Sequence, residues 1–308
     1  MNLSTDTPRG FAKTVDYSSA KSSVFNPRFS RIRGAVLTAI CASAIVGLAV
    51  DNPMELSAWE RGIKVSSRTD AKGFAHLWFY EWHMFDAIKK GEHTGGRWDW
   101  KWRVDKSGTT AFMNGDWLKL TAKAKSDGAE LKLEIENRSD HDWPEIAGMI
   151  PCFNPGNPRG DQTNPIFLDL EHDDTWFVGE QGFELIKGRA PREIHFNRSL
   201  RGKIMKWPKE RKVGGFVFSY KWPTSERNAT KGLMIREAKD DGWVMGIGWE
   251  RFLSAQGHNP WRCMHLCVNI GPLKQSEKQT IRGRIFLFKG TKEDVLNRYD
   301  RWRKGLSR

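Results

Sequence analysis

Residues 117–136 read WLKLTAKAKSDGAELKLEIE, and their alternation sets the fold class. In Trp117 to Ala124, from Leu118 on, and again in Leu131 to Glu136, apolar and polar side chains alternate. A chain whose side chains point to opposite faces in turn buries one face and wets the other only as a β-strand. Ser126-Asp127-Gly128 between the two runs is turn chemistry, so the spacing predicts two adjacent antiparallel strands. Further short runs, alternating or apolar-rich, stand at Phe216 to Tyr220, Gly232 to Ile235, Trp243 to Trp249 and Ile281 to Phe288, separated by Gly, Asn, Asp and Pro. The expectation is an all-β fold, an antiparallel sandwich or supersandwich, for residues 51–308 as one domain.

One helix stands out, at the end of the chain. Thr291 can cap it, Glu293 and Asp294 occupy its first turn, and Val295, Tyr299 and Trp302 share a face. That face should pack on the sandwich. A shorter helical turn is expected at Met84 to Lys90, ended by Gly91.

The chain opens with a polar segment containing Arg28, Arg31 and Arg33, followed by sixteen uncharged residues, Ala35 to Val50. This apolar run falls short of the about 20 residues of a membrane span and suits a secretory signal. Residues 1–50 are therefore read as an export signal with a long polar beginning, and the rest as secreted or periplasmic; an uncleaved N-terminal anchor is the alternative. Without residues 1–50, which hold six basic and two acidic residues, 44 Lys+Arg stand against 35 Asp+Glu, a net of +9 that favours an acidic partner. No zinc-finger spacing, RNP-like run or basic helix is present, so an acidic polysaccharide is expected rather than nucleic acid.

Three cysteines follow the signal: Cys152, Cys263 and Cys267. Cys263 and Cys267 would lie about 13 Å apart along a strand, too far to bridge. A bond from Cys152 to one of them competes with all three being small buried apolar residues.

Chemistry-bearing side chains concentrate in 248–273, GWERFLSAQGHNPWRCMHLCVNIGPL. The apolar flanks read as two strands joined by a polar loop centred on Gly257 to Pro260. Glu250, Arg251, Gln256, His258, Asn259, Trp261, Arg262 and His265 make this the leading candidate site, because functional side chains gather on loops held by a rigid scaffold. Elsewhere His195 and Asn197 would share one face if their segment is extended. Trp98, Trp100 and Trp102 alternate with charged residues, as a sugar-stacking row or a core row would. Phe74 to His93 holds His76, His83 and His93 with Glu81 and Asp86, in no metal-binding spacing; His83 is read as a pocket-wall residue. Asn137 to Pro158 reads as a strand end, a turn at Trp143-Pro144 and a long loop. No metal set and no cofactor are expected.

The tryptophan-rich strands, the polar strands around Trp249 to His265, and the ending Ile281 to Leu287 before a short helix carry a resemblance. Over roughly 55–305 the chain resembles secreted galactose-mutarotase-like, carbohydrate-active β-sandwich proteins, an architecture also found in domains of polysaccharide lyases and glycosidases. The resemblance implies histidines and a carboxylate on a concave sheet face, and His195, His265 and Glu250 are of those types. For a uronate sugar, Arg262 and Asn259 would hold the carboxylate, His265 or His195 would take the neighbouring proton, and Trp261 would stack on a ring. His258, Asn197, Trp100 and His83 complete the expected binding set. A hydrolase would need Glu250 and a second carboxylate. The alternative is a non-catalytic carbohydrate-binding or cell-envelope module.

Overall fold

The hairpin at 117–136 forms as its pattern requires. Lys125 pairs with Gly128 across the turn, and Leu118, Leu120, Ala122 and Ala124 point inward together with Ala129, Leu131, Leu133 and Ile135. A computed structural model describes residues 53–306 except 61, 84–100, 116, 157–161, 170, 187–192, 207–211, 214–215, 218–222 and 259–261, all within the unit Ala49–Arg308. The segment read as an export signal, the helical turn expected at 84–90, and Trp98, Trp100, Asn259 and Trp261 lie outside the described residues. Of His83 and His258 only the backbone is described.

The elements in chain order are β1 (Met54–Trp59), β2 (Gly62–Ser67), β3 (Phe74–His83), β4 (Arg103–Val104), β5 (Thr110–Asn114), β6 (Leu118–Lys125), β7 (Gly128–Glu136) and β8 (Gly148–Asn154). A 3-10 turn (Pro165–Phe167) precedes β9 (Thr175–Gly179), β10 (Gly182–Leu185), β11 (His195–Phe196), α1 (Arg198–Ile204), β12 (Lys212–Val213) and β13 (Phe216–Val217). Then come β14 (Leu233–Glu237), β15 (Trp243–Trp249), β16 (Phe252–His258), β17 (Cys263–Asn269), β18 (Lys278–Lys289) and α2 (Lys292–Leu306).

These build an antiparallel β-sandwich. One sheet has the order β1-β2-β3-β8-β17-β16-β11, the other β10-β9-β14-β15-β18-β7-β6-β5-β4, and β12 and β13 pair separately. Alternate residues of both sheets fill one core between them, for example Leu77, Phe153, Met264 and Ala255 from the first and Leu120, Leu133, Ile285 and Met245 from the second. Trp102 is buried there too. On its outer side the nine-stranded sheet is covered by α2, whose Val295 and Tyr299 pack on Leu233, Ile235, Val244 and Phe286. Thr291 and Asp294 cap the helix reciprocally: the Asp294 carboxylate accepts from Thr291 N at 3.0 Å, and Thr291 Oγ1 accepts from Asp294 N at 3.3 Å.

Two expectations are corrected and one open alternative is decided. The stretch 248–273 contributes three strands rather than two: β15 belongs to the nine-stranded sheet, and the chain crosses at Glu250-Arg251 into β16 and β17 of the other. Gly257 is therefore inside a strand. The expected long loop in 137–158 contains β8, which lies at the centre of the seven-stranded sheet and is buried along its whole length. Pro151 argues against a central strand because it donates no hydrogen bond. The register of β3 shifts at that level, Trp78 facing Cys152 and Trp82 facing Ile150, so an irregularity flanks Pro151 where a ladder bond would be missing. Finally, Cys152 and Cys263 form a disulfide between β8 and β17, whereas Cys267 is free and buried.

Candidate functional site

The seven-stranded sheet has an inner face that feeds the core and an outer face turned away from the nine-stranded sheet. Because Leu77, Phe153, Met264 and Ala255 point inward, strand alternation turns His76, Trp78, Cys152, Asn154, Cys263, His265, Ser254 and Gln256 outward. The registers line them up in rows. His76 pairs with Asn154, Trp78 with Cys152, and Gln256 with His265, while the β8–β17 register sets Cys152 across from His265 and Asn154 across from Cys263. Neighbouring positions in a row are about 5 Å apart, within reach of one small ligand.

This outer face is both polar and buried. His76, Ser254, Gln256 and His265 are fully buried and Asn154 is 1% exposed. Trp59 stacks on Trp78 with ring centroids 5.2 Å apart and lies 3.9 Å from the His76 ring. These tryptophans and the Cys152–Cys263 pair form their own apolar cluster beside the imidazoles. Burial, reinforced by the Lys64 charge on the adjoining strand, pushes His76 down to about 3, so it is neutral at physiological pH. The Gln256 carboxamide is buried with neither Oε1 nor Nε2 hydrogen-bonded among the described residues. Leaving such a group unsatisfied costs about 1–3 kcal/mol, which makes it the feature of this face that asks for an explanation.

The predicted site residues divide into three places. His265 is on the outer face, and the backbone of His258 pairs with Cys263 at the far end of the same two strands. His195 is on the opposite face. Its pairing with Ala255 turns it inward, where it stacks on Phe177 at 4.2 Å, and burial followed by the Arg227 charge pushes it down to about 4. Glu250 and Asn197 meet in a third place, a groove shared with Arg198, Arg251 and Arg303. Along β16 this lies about 10 Å from Gln256 at Asn197 and about 20 Å at Glu250. There Glu250 accepts the Arg282 N–H at 2.5 Å. Asn197 caps α1, accepting from Ser199 N at 3.0 Å and donating to the Phe252 carbonyl at 2.9 Å. An extended 195–197 would have aligned the imidazole and the amide; the chain instead turns into α1 at Asn197 and separates them.

Arg262 sits at the β16–β17 connection with φ 53, its buried Nε without a hydrogen-bond partner among the described residues. Its carbonyl accepts from Arg236 Nη1 at 2.7 Å. Arg236 is itself fully buried, reaching Thr175 Oγ1 at 2.8 Å and His172 Nδ1 at 3.0 Å, with Asp169 at 3.9 Å. Burial pushes its pKa down to about 10, and Asp169 opposes that, so the guanidinium remains charged at neutral pH. This cluster holds the hairpin tip from below. Gly257 is where it comes closest: a Cβ there would stand 2.7 Å from His172 Nε2. A charge after the apolar run Leu233-Met234-Ile235 was its sequence signal.

No protein-family model matches the chain, and no curated protein matches it significantly. Solved structures match it at low identity. The chain is similar to galactose mutarotase-like proteins. One from Lactobacillus casei is 12% identical, with 76% of this chain and 97% of that one covered at a TM-score of 0.35. A galactose mutarotase related enzyme from Lactobacillus acidophilus is 11% identical over 78% and 96%, at 0.36. A protein of Escherichia coli K12, provisionally assigned as an aldose 1-epimerase, is 11% identical over 77% and 99%, at 0.35. Among the described residues no helix is long and apolar enough to cross a membrane.

Proposed function

We propose that this chain is an exported carbohydrate-binding protein whose ligand lies over the outer face of the seven-stranded sheet. Buried Gln256 carries the reading, since an amide with both atoms unpartnered and one strand from an imidazole is ready for hydroxyl groups, and the stacked indoles lie further along the same row, on the far side of β8 and β17. Aromatic faces and convergent amide and imidazole groups are what a sugar's C–H and O–H surfaces require. The unpartnered Nε of Arg262 at the end of the same strands favours an acidic sugar.

If the sugar is also processed, His265 is the residue expected to accept the proton next to the substrate carboxylate. Hydrolysis by paired carboxylates has less support, because the buried polar residues described on this face are histidine, amide and serine. Binding without turnover is the second reading, and that same lack of a buried carboxylate favours it.

The test incubates the protein with acidic and neutral polysaccharides and scores retention, new reducing ends and the ultraviolet absorbance of unsaturated uronate. Gln256→Leu should weaken retention by about tenfold, the equivalent of about 1.4 kcal/mol, without loss of stability. Retention equal to wild type would sink the assignment of this face. His265→Ala should abolish any turnover while retention persists; unchanged turnover removes it from the mechanism.

A further inference from the structure

The Cys152–Cys263 pair has a third donor beside it. The two sulfurs and one ring nitrogen of His265 all lie within 4.8 Å of one another, and all three residues are buried. Zinc is held by thiolates at about 2.3 Å and imidazole at about 2.0–2.1 Å, so donors this close can converge on one ion after small rotations. Asn154 Nδ2 donates to Cys152 Sγ at 3.3 Å. An N–H aimed at sulfur stabilises a thiolate and orients a ligand, the role played by groups just outside a metal's own ligands. A disulfide requires neither an imidazole near both sulfurs nor an amide donor.

We propose that, when the Cys152–Cys263 bond is reduced, Cys152, Cys263 and His265 form a Zn²⁺ site with its fourth position open toward the outer face of the seven-stranded sheet. The inference is independent of the carbohydrate reading. A dithiol or phosphine reductant supplies two electrons, the S–S bond breaks, and two protons from solvent give two thiols. Each thiol then releases its proton to solvent as its sulfur bonds the ion, while His265 binds through a neutral nitrogen. Two thiolates cancel the charge of Zn²⁺, so the complex is buried without net charge. Disulfide and metal are mutually exclusive states of the same two sulfurs, and the redox state selects between them.

The experiment uses the full chain, reduced with a phosphine and titrated anaerobically with Co²⁺, followed by displacement with Zn²⁺. One equivalent should give a thiolate-to-cobalt charge-transfer band that Zn²⁺ removes, and the oxidised protein should give none. Cys152→Ser should abolish the band, His265→Ala should weaken binding about tenfold or more, and Cys267→Ser should change nothing. A reduced protein without the band, a band that survives Cys152→Ser, or undiminished affinity in His265→Ala overturns the site. If reduction melts the sandwich, Zn²⁺ should restore its far-ultraviolet strand signal, since binding and folding are linked; failure to restore it overturns the site as well. Polysaccharide retention, read on the oxidised protein, is unaffected by any of these outcomes.

Discussion

His195 and His76 are both fully buried and both kept neutral, on opposite faces of one sheet. Each binds fewer protons folded than unfolded below its ordinary 6.5. Their contribution to stability is therefore complete above about pH 6.5 and is lost as pH falls through about 4 for His195 and about 3 for His76. For His195 the loss is about 3 kcal/mol. His195→Phe, which preserves the stack on Phe177, should flatten the fall in urea-measured stability between pH 6.5 and pH 4; an unchanged slope would show that His195 does not drive it. At this scale the chemistry of single residues was legible and their grouping was not. His265 was visible as a candidate in its polar run, but Gln256 becomes its neighbour only through the β16–β17 register.

Elements were legible where local pattern and environment agree. The β6–β7 hairpin needs Gly128 at φ 136, a conformation foreign to other residues, and a Cβ there would collide with the Ile285 carbonyl. Gly128→Ala should destabilise the protein by more than about 1 kcal/mol in urea titrations. Thr291→Ala removes the α2 cap and should cost about 1 kcal/mol, read by the same method. Elements were illegible where the outward face of a strand is itself buried. Ser254, Gln256, Asn154 and His76 point away from the core yet are covered, so β8 and β16 lack the contrast between a dry and a wet side that marked β6. A proline at 151 and a glycine at 257 pushed both readings further toward loop.

For the molecule as a whole, the disulfide ties positions separated by 111 residues and joins two central strands of the seven-stranded sheet. Cross-links that close long loops restrict the unfolded chain most, so reduction without added metal should lower stability by about 2–5 kcal/mol. Urea titration with and without phosphine reads this directly, and coincident curves would show that the bond contributes nothing. The sandwich also separates residues that 248–273 presents as one group. Glu250 lies at the crossing between sheets, Arg262 at a hairpin tip held by Arg236, and His265 within a central strand.

By itself the sequence determined the all-β class, the alternating faces of β6 and β7, and the closing helix, because periodicity and capping act over a few residues. The tertiary structure alone decided that Cys152 meets Cys263, that His265 shares its surroundings with Gln256 rather than His195, and that Glu250 stands apart. Those outcomes depend on strand order and register between distant segments. A one-residue shift in register would turn every side chain to the other face, and no local pattern records which register is adopted.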